Sequence, residues 1–268
     1  MASSLFIGTD GKDVAYDAYD LLYGGDGDDS LSSTYNVSGD DVIIFGGAGN
    51  DYLNYVDGYS RIAYIFGDTG NDNINGGDNN DRLFGGSGND LVTGSPGSDY
   101  VYGGSGNDRL FGYWNEADSV DDDGDYMYGD AGNDRLFGQY GDDDLHGGLG
   151  KDLLVGGDGG DEFWFDTKLN GRTNVDHIRD FGVGPDKIVI DHTIFTKVTV
   201  PVKTSDGINA NEFYTGAKAH DEDDRIIYQR STGKIFYDPD GTGSAKQVLF
   251  AVVDNKPILS TTDFWCVP

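Results

Sequence analysis

The sequence predicts an all-β protein, in which a right-handed parallel β-roll (a β-helix of short repeats) is followed by a C-terminal β cap domain. Three observations lead to this prediction. Residues 1–165 repeat every nine positions, with one phased apolar residue in each repeat. The same residues are rich in glycine and aspartate, which favour tight turns. From residue 166 onward the period stops, and short apolar segments separated by turn residues are typical of ordinary strands.

Glycines mark the nine-residue period. They recur at Gly67, Gly76, Gly85, Gly94 and Gly103, and again at Gly129, Gly138, Gly147 and Gly156. Each is followed five residues later by an aspartate, and two residues after that by an apolar side chain. Looser copies begin at Gly8, Gly24 and Gly46, and the spacings from Gly24 to Gly46 and from Gly46 to Gly67 are each eighteen residues plus a small bulge. Flexible linkers have no reason to phase an apolar residue in this way, so the segment is predicted to fold.

The interval from Gly112 to Gly129 is seventeen residues, one short of two repeats. Within it, Asp125 and Met127 return to the phase of the repeat. We interpret residues 112–128 as one degenerate coil of the roll, not as a break between domains. The predicted domains are therefore residues 1–165 and residues 166–268.

Each repeat is predicted to form half a coil, a tight turn followed by a three-residue strand. The apolar residue points inward, because side chains alternate along a strand. Two repeats complete one coil, so residues eighteen apart stack about 4.8 Å from each other. Asp72 is therefore expected to lie beside Asp90. Two carboxylates at that distance repel by about 3–4 kcal/mol at an effective dielectric constant near 20.

This repulsion predicts a cation between the coils. Calcium accepts six to eight oxygen ligands and mixes carboxylates with main-chain carbonyls. Cys266 is the only cysteine, so a thiolate site for zinc is excluded. The predicted cofactor is Ca²⁺, in at least about five sites if each adjacent pair of aspartates in strict register holds one ion.

The predicted calcium ligands are aspartate carboxylates and the carbonyls of turn glycines. The aspartates are Asp13, Asp29, Asp51, Asp72, Asp81, Asp90, Asp99, Asp108, Asp125, Asp134, Asp143, Asp152 and Asp161. The glycines are Gly47, Gly49, Gly70, Gly86, Gly88, Gly104, Gly106, Gly132, Gly148 and Gly150.

The repeat resembles that of the RTX (repeats-in-toxin) family, Gly-Gly-x-Gly-x-Asp-x-(large apolar)-x. One copy reads Gly103-Gly104-Ser105-Gly106-Asn107-Asp108-Arg109-Leu110-Phe111. The resemblance covers about residues 8–165, and it implies calcium shared between the turns of alternate repeats. Local departures replace the second glycine by Asp68, Asp130, Ser95 or Gln139 and the third by Asn79.

The C-terminal residues are predicted to cap the apolar last coil, with strands at 187–190, 225–228, 234–237 and 248–253. Residues 176–181 and 223–228 resemble the C-terminal segment of serralysin-type secreted proteins. That resemblance implies export by a type I secretion apparatus through an uncleaved C-terminal signal. The tail at 263–267 is similar to such a signal, although Cys266 and Pro268 depart from it.

Charge and the missing N-terminal signal point to the same location. The chain has 48 acidic and 18 basic residues, and 33 of the acidic ones lie in residues 1–165. Such a charge disfavours nucleic acid and anionic membranes as partners. The N-terminus has neither a basic region nor a long apolar one, and no apolar stretch is long enough to span a membrane. We expect a secreted, extracellular protein that folds on meeting calcium outside the cell.

No catalytic constellation is found in the sequence, so the protein is not expected to be an enzyme. The four histidines form no His-Glu-x-x-His motif, and no Gly-x-Ser-x-Gly elbow precedes a helix. Asp238 and Asp240 could ligate one more ion or form a turn, and the turn is slightly favoured.

Outward aromatic residues leave alternative functions open. Arg82, Phe84, Tyr100, Tyr102, Arg135 and Phe137 are predicted on one face, and Arg109, Phe111, Tyr126, Tyr128 and Trp164 on the other. Such columns could bind a polysaccharide or a host surface, although aromatic residues also favour strands by themselves. The alternatives are a polysaccharide-binding module, an effector that interacts with host membranes, and a polysaccharide-modifying enzyme built on the roll.

Overall fold

Two long β-sheets face each other along the molecule. The computed structural model describes residues 5–17, 20–34, 41–56, 61–113, 123–203 and 206–268. Sheet A is built, in spatial order, from β1 (Leu5–Ile7), β3 (Leu21–Asp26), β5 (Val42–Ala48), β7 (Ala63–Thr69), β9 (Arg82–Ser87), β11 (Tyr100–Ser105), β13 (Tyr126–Gly132), β15 (Asp144–His146), β18 (Glu162–Phe165), β20 (Lys187–Asp191) and β25 (Phe264–Val267), and β16 (Leu149–Gly150) also pairs with β13.

Sheet B lies on the other side of the core. In spatial order its strands are β2 (Val14–Asp17), β4 (Ser30–Thr34), β6 (Tyr52–Val56), β8 (Asn73–Asn75), β10 (Leu91–Thr93), β12 (Arg109–Phe111), β14 (Arg135–Tyr140), β17 (Leu153–Asp158), β19 (Asp176–Ile178), β24 (Val248–Val253), β23 (Lys234–Tyr237), β22 (Ile226–Gln229) and β21 (Phe213–Thr215). Two short 3-10 helices are also described, Ala210–Glu212 and Thr261–Asp263.

The chain alternates between the two sheets, and strands within each sheet are parallel up to β20. Leu83 in β9 lies opposite Val101 in β11, eighteen residues later. Ile74 and Val92 in sheet B have the same spacing. These registers confirm the predicted parallel β-roll with two repeats in each coil.

Each regular half coil places one apolar side chain in the core between the two sheets. The inward residues are fully buried: Leu22, Leu31, Ile44, Leu53, Ile65, Ile74, Leu83, Val92, Val101, Leu110, Met127, Leu136, Leu145, Leu154 and Phe163. Every residue of the phased apolar position in the regular repeats is in this set. The single inward side chain per half coil follows from the strand alternation.

The interpretation of residues 112–128 as one degenerate coil is wrong. Val101 pairs with Met127 and Leu110 pairs with Leu136, so both sheets step by 26 residues here instead of eighteen. The interval is therefore one half coil with eight extra residues in its turn. Gly124, with φ 81°, and Asp125 restore the end of the turn. Residues 114–122 of the predicted coil lie outside the described residues.

This correction also changes the outer faces of the roll. Tyr126 and Tyr128 follow Tyr100 and Tyr102 on sheet A, where Trp164 also lies, whereas Arg135 and Phe137 follow Arg109 and Phe111 on sheet B. The sequence prediction exchanged these two groups, because it counted the interval as two half coils instead of one.

Sheet A carries a continuous column of rings on its outer face. The column consists of Tyr23, Phe45, Phe66, Phe84, Tyr102, Tyr128, His146 and Trp164. Neighbouring ring centroids from Phe45 to Tyr128 are 4.8–5.0 Å apart and nearly parallel. The parallel register produces this column, since equivalent positions of successive coils stack directly.

The sheets do not end where the nine-residue period ends. Strands β19, β20 and β25 add parallel strands beyond residue 165, whereas β22, β23 and β24 form an antiparallel meander. All four strands predicted in this region are present. Phe195 and Phe250 are buried and meet edge to face, with centroids 5.0 Å apart, so the cap has a thick aromatic core of its own. Among the described residues, no helix has the length and apolarity needed to cross a membrane.

Candidate metal centres along the two edges of the roll

The turns that lead from sheet A into sheet B form what we call the first edge of the roll. The aspartates that end these turns are Asp13, Asp29, Asp51, Asp72, Asp90, Asp108, Asp134, Asp152 and Asp176. The main-chain N–H of each donates to the Oδ1 atom of the next, over 2.7–3.1 Å. The predicted stacking of aspartates on this edge is therefore present along the whole roll.

The turns that lead from sheet B back into sheet A form the second edge. Here the ladder contains Asp81, Asp99, Asp125, Asp143, Asp161 and Asp186, joined by the same N–H to Oδ1 bonds over 2.7–3.2 Å. Its first donor is the N–H of Ala63, which bonds to Asp81. All thirteen aspartates predicted as ligands thus belong to one of the two ladders.

The second carboxylate oxygen distinguishes these residues from ordinary turn aspartates. Within the described coils, the Oδ2 atom is buried and accepts no hydrogen bond in Asp29, Asp51, Asp72, Asp90, Asp108, Asp134, Asp152 and Asp161. The residues themselves are at most 3% exposed. An ionised oxygen without a partner is costly to bury. A cation that binds Oδ2 removes that cost, so the carboxylates fit the predicted metal.

Burial also changes the acidity of these groups. Desolvation, followed by repulsion from neighbouring carboxylates, raises the pKa of Asp72 to about 7 and that of Asp134 to about 8. Desolvation raises the pKa of Asp161 to about 7 as well, while the N–H of Asp143 opposes the shift. Without a cation, the carboxyl groups of Asp72, Asp134 and Asp161 are therefore largely or half protonated near neutral pH.

Main-chain carbonyls converge on the same places. The Oδ2 atom of Asp108 and the carbonyl oxygen of Gly129 both lie within 3.0 Å of the point that a Cβ on Gly103 would occupy. A side chain at Gly103 would displace both oxygens, so glycine is required there. Carboxylate and carbonyl oxygens together are the donor set that calcium prefers.

The ten glycines predicted as ligands all lie on the first edge, in the turns that end at Asp51, Asp72, Asp90, Asp108, Asp134 and Asp152. Gly106, with φ 140°, shows why the third glycine of the motif is needed, because a Cβ there would overlap the carbonyl oxygen of Gly88. On the second edge, Asn79 takes this third-glycine position in a left-handed conformation, whereas the left-handed Ser95 and Gln139 take that of the second glycine.

Sequence reasoning missed Asp176 and Asp186, which extend the two ladders into the cap. Both are 4% exposed, and each accepts the N–H of the last repeat aspartate on its edge. They stand 24 and 25 residues after Asp152 and Asp161, so the nine-residue period does not reach them. A usable signal was present, since each precedes a buried isoleucine by two residues, as the repeat aspartates do.

Two acidic groups in the cap are explained by turns. The side-chain donor atoms of His220, Asp221 and Asp224 lie within 4.8 Å of one another. Asp224 accepts the main-chain N–H groups of His220 and Asp221. Asp240 accepts the N–H of Ala245, and Asp238 accepts that of Asp240. These bonds fit a turn at residues 238–241, and the Oδ1 atom of Asp240 is buried there without a hydrogen-bond partner.

Comparison with known proteins agrees with the repeat geometry. The family model of the RTX calcium-binding nonapeptide repeat matches residues 7–33, 34–62, 57–92, 84–115, 120–154 and 128–163, which together cover more than half of the chain. No curated protein matches the sequence. Among solved structures, the extracellular lipase LipA from Serratia marcescens is similar, with 16% identity and a TM-score of 0.35. All of this chain aligns, but it spans only 40% of the lipase chain.

Proposed function

Since the chain belongs to the RTX calcium-binding nonapeptide-repeat family, we propose that it is a secreted protein whose roll folds when it binds extracellular calcium. The observation that carries this proposal is the pair of aspartate ladders, in which the Oδ2 atoms of residues such as Asp72, Asp134 and Asp161 are buried without a hydrogen-bond partner. The proposal includes export by a type I secretion apparatus, and it assigns no catalytic activity to the chain.

Charge couples folding to calcium. Residues 1–165 contain 33 acidic and 6 basic residues, and their core is only one apolar side chain thick on each side. At the low calcium concentration of a cytosol, repulsion and carboxylate desolvation oppose the roll. Calcium binds only where two coils are assembled, so its binding free energy becomes folding free energy.

The position of the C-terminal tail supports export before folding. Residues 264–267 form β25, which pairs with β20, and Phe264 and Cys266 are fully buried. A transporter can read a strand in this position only while the chain is unfolded. Because β20 also pairs with β18 of the roll, a roll that folds only after it meets calcium leaves β25 without a complete sheet to join, so the tail stays accessible until export is complete.

The test is refolding of the purified full chain from denaturant in calcium, in magnesium or in EGTA, followed by far-ultraviolet circular dichroism. We expect the full β-sheet signal in calcium alone, and in magnesium or EGTA only the weaker signal that the cap strands contribute. Magnesium is the matched control, because it has the same charge but prefers a tighter octahedral site with retained waters. A β-sheet spectrum that is the same in EGTA as in calcium contradicts the proposal.

The ring column does not favour the polysaccharide-binding alternative. Phe66, Phe84 and Tyr102 lie 4.8–5.0 Å apart with interplanar angles of 2° and 5°, so each ring face is covered by the next ring. Stacking against a sugar needs an open ring face. Binding to glycans or to host membranes stays a prediction, which a glycan array and a liposome-leakage assay address directly.

A further inference from the structure

We propose that calcium loads the two edges of the roll unequally, along the full length of the first edge but only from Asp81 onward on the second. This inference rests on the proposed calcium-dependent folding and adds to it the location of the ions. It concerns the first three coils, where the two edges carry different residues at equivalent positions.

Strand register identifies these equivalent positions. Asp81 is preceded on its edge by Ala63, whose N–H bonds to Asp81 just as a ladder aspartate would. Ala63 pairs in turn with Val42, and Val42 stands where Asp20 does in the coil before. Two of the first three positions of the second edge therefore carry an apolar side chain instead of a carboxylate.

The first edge has no such gap. In the same coils its ladder residues are Asp13, Asp29 and Asp51, each bonded to the next. Val42 and Ala63 are fully buried, and their side chains offer neither a charge nor an oxygen ligand at these ladder positions. Apolar packing takes the place of metal binding there.

The turns show the same division. Every first-edge turn from Gly8 to Asp152 keeps the pattern Gly-x-x-Gly-x-Asp, in eight consecutive copies. On the second edge, a glycine five residues before the aspartate appears first at Gly76, with Asn79 in place of the inner glycine, and the turns before Val42 and Ala63 do not have this spacing. Those two turns are also the ones that lengthen the coil, since Leu22 pairs with Ile44 and Ile44 with Ile65, at steps of 22 and 21 residues.

A second ladder keeps the first-edge turns alike. The side chains that precede its aspartates stack in the order Asp28, Asn50, Asn71, Asn89, Asn107 and Asn133. Each carboxylate or amide oxygen accepts both the main-chain N–H and the Nδ2–H of the next asparagine, over 2.7–3.1 Å. Successive turns held in one conformation present the same oxygens in every coil, which is what a row of equivalent ions requires.

The test compares matched substitutions in one coil of the full chain. Asp51 ends the first-edge turn of that coil, and Asp41 lies in its second-edge turn, beside Val42. Asp51→Asn and Asp41→Asn remove the same charge and keep the same shape. Bound calcium per folded chain is measured by equilibrium dialysis with ⁴⁵Ca, and Asp81→Asn serves as the variant on the loaded part of the second edge.

We expect Asp51→Asn and Asp81→Asn each to lose one or two ions, as about one ion between adjacent coils implies, and Asp41→Asn to lose none. Equal losses in Asp41→Asn and Asp51→Asn overturn the unequal loading, and so does full retention in Asp51→Asn. If Asp51→Asn does not fold, the ions lost by Asp41→Asn are compared with those lost by Asp81→Asn instead, and equal losses overturn the unequal loading. A wild-type chain that binds no calcium overturns the proposed function as well, so the two failures are distinguishable.

Discussion

The roll and the cap share two continuous sheets but are stabilised by different forces. In the roll, each regular half coil contributes one buried apolar side chain, and buried aspartates line the edges. In the cap, large side chains such as Phe195, Tyr228 and Phe250 fill a thick core. The comparison teaches that strand pairing alone does not stabilise a sheet. The residues in the turns that join the two sheets, buried carboxylates in the roll, determine whether a metal is needed.

Removal of calcium is expected to give the largest difference between the two regions. In EGTA, we expect the amides of β3–β18 to lose hydrogen-exchange protection by at least about 100-fold, because ligand binding no longer favours the folded roll. Protection of β22–β24 is expected to fall much less. Equal loss of protection in both regions contradicts the division into a metal-dependent roll and a metal-independent core.

Truncation of a cap side chain is expected to destabilise the protein even at saturating calcium. Phe250 is 1% exposed and meets Phe165 and Phe195 edge to face. Phe250→Ala should lower the free energy of unfolding by about 3–5 kcal/mol, since it leaves a cavity. Urea denaturation in excess calcium measures this change, and Ile258→Ala, at a site that is 76% exposed, is the control. An unchanged midpoint for Phe250→Ala shows that this core does not stabilise the cap.

Loss of one ladder carboxylate is expected to weaken calcium binding without removing the fold. Asp108→Asn keeps the Oδ1 acceptor of the ladder but replaces Oδ2 by an uncharged NH₂ group, which cannot bind calcium. The calcium concentration at half-folding should rise by about tenfold, which corresponds to about 1.4 kcal/mol. Asp263→Asn, at the 3-10 helix in the cap, is the control and should leave that concentration unchanged. A larger rise in this concentration for Asp263→Asn than for Asp108→Asn would place the metal in the cap.

The calcium requirement is expected to depend on pH in the roll. Burial raises the pKa of Asp72 to about 7 and that of Asp134 to about 8, well above the ordinary value of an aspartate. Protonation therefore stabilises the metal-free roll at low pH, and this contribution is lost as the pH rises from about 4 to about 8. The carboxyl groups of the unfolded chain are already ionised above pH 6, so the calcium concentration at half-folding should be lower at pH 6, where protons already favour the roll, than at pH 8. A calcium requirement that is higher at pH 6 than at pH 8 contradicts this dependence.

Interruption of the ring column is expected to have the smallest effect. Phe84 stacks between Phe66 and Tyr102 on the outer face of sheet A. Phe84→Leu should lower stability by about 0.5–1.5 kcal/mol, the range measured for an aromatic pair beyond its buried area. Urea denaturation in calcium measures it. A larger loss than that of Phe250→Ala would make the column, and not the cap core, the main calcium-independent source of stability.

The repeat region could be predicted from sequence because its structure is periodic. The spacing of glycine, aspartate and leucine or isoleucine directly gave the inward residues and the ladder positions of the regular repeats. The faces carrying Tyr126 and Phe137 were exchanged, because the sequence does not show whether seventeen residues between Gly112 and Gly129 are one half coil or two. Strand pairing resolves this, since it is a long-range property.

The ends of the ladders were not predictable by the same means. Asp176 and Asp186 follow irregular connections, so only packing against the last repeat places them above Asp152 and Asp161. Likewise, the apolar positions of Val42 and Ala63 on the second edge become visible only through strand register. In both cases the residues have no fixed spacing in the sequence, and their positions on the edges follow only from the stacking of successive coils.

The step of 26 residues between β11 and β13 has a consequence for how such a protein changes over evolutionary time. The eight extra residues leave the pairing on both sides intact, with Val101 opposite Met127 and Leu110 opposite Leu136. The two longer coils near the N-terminus also gain their residues at second-edge turns. One side of the roll can thus accept inserted sequence, and with it new surfaces, while the other side preserves the periodic frame.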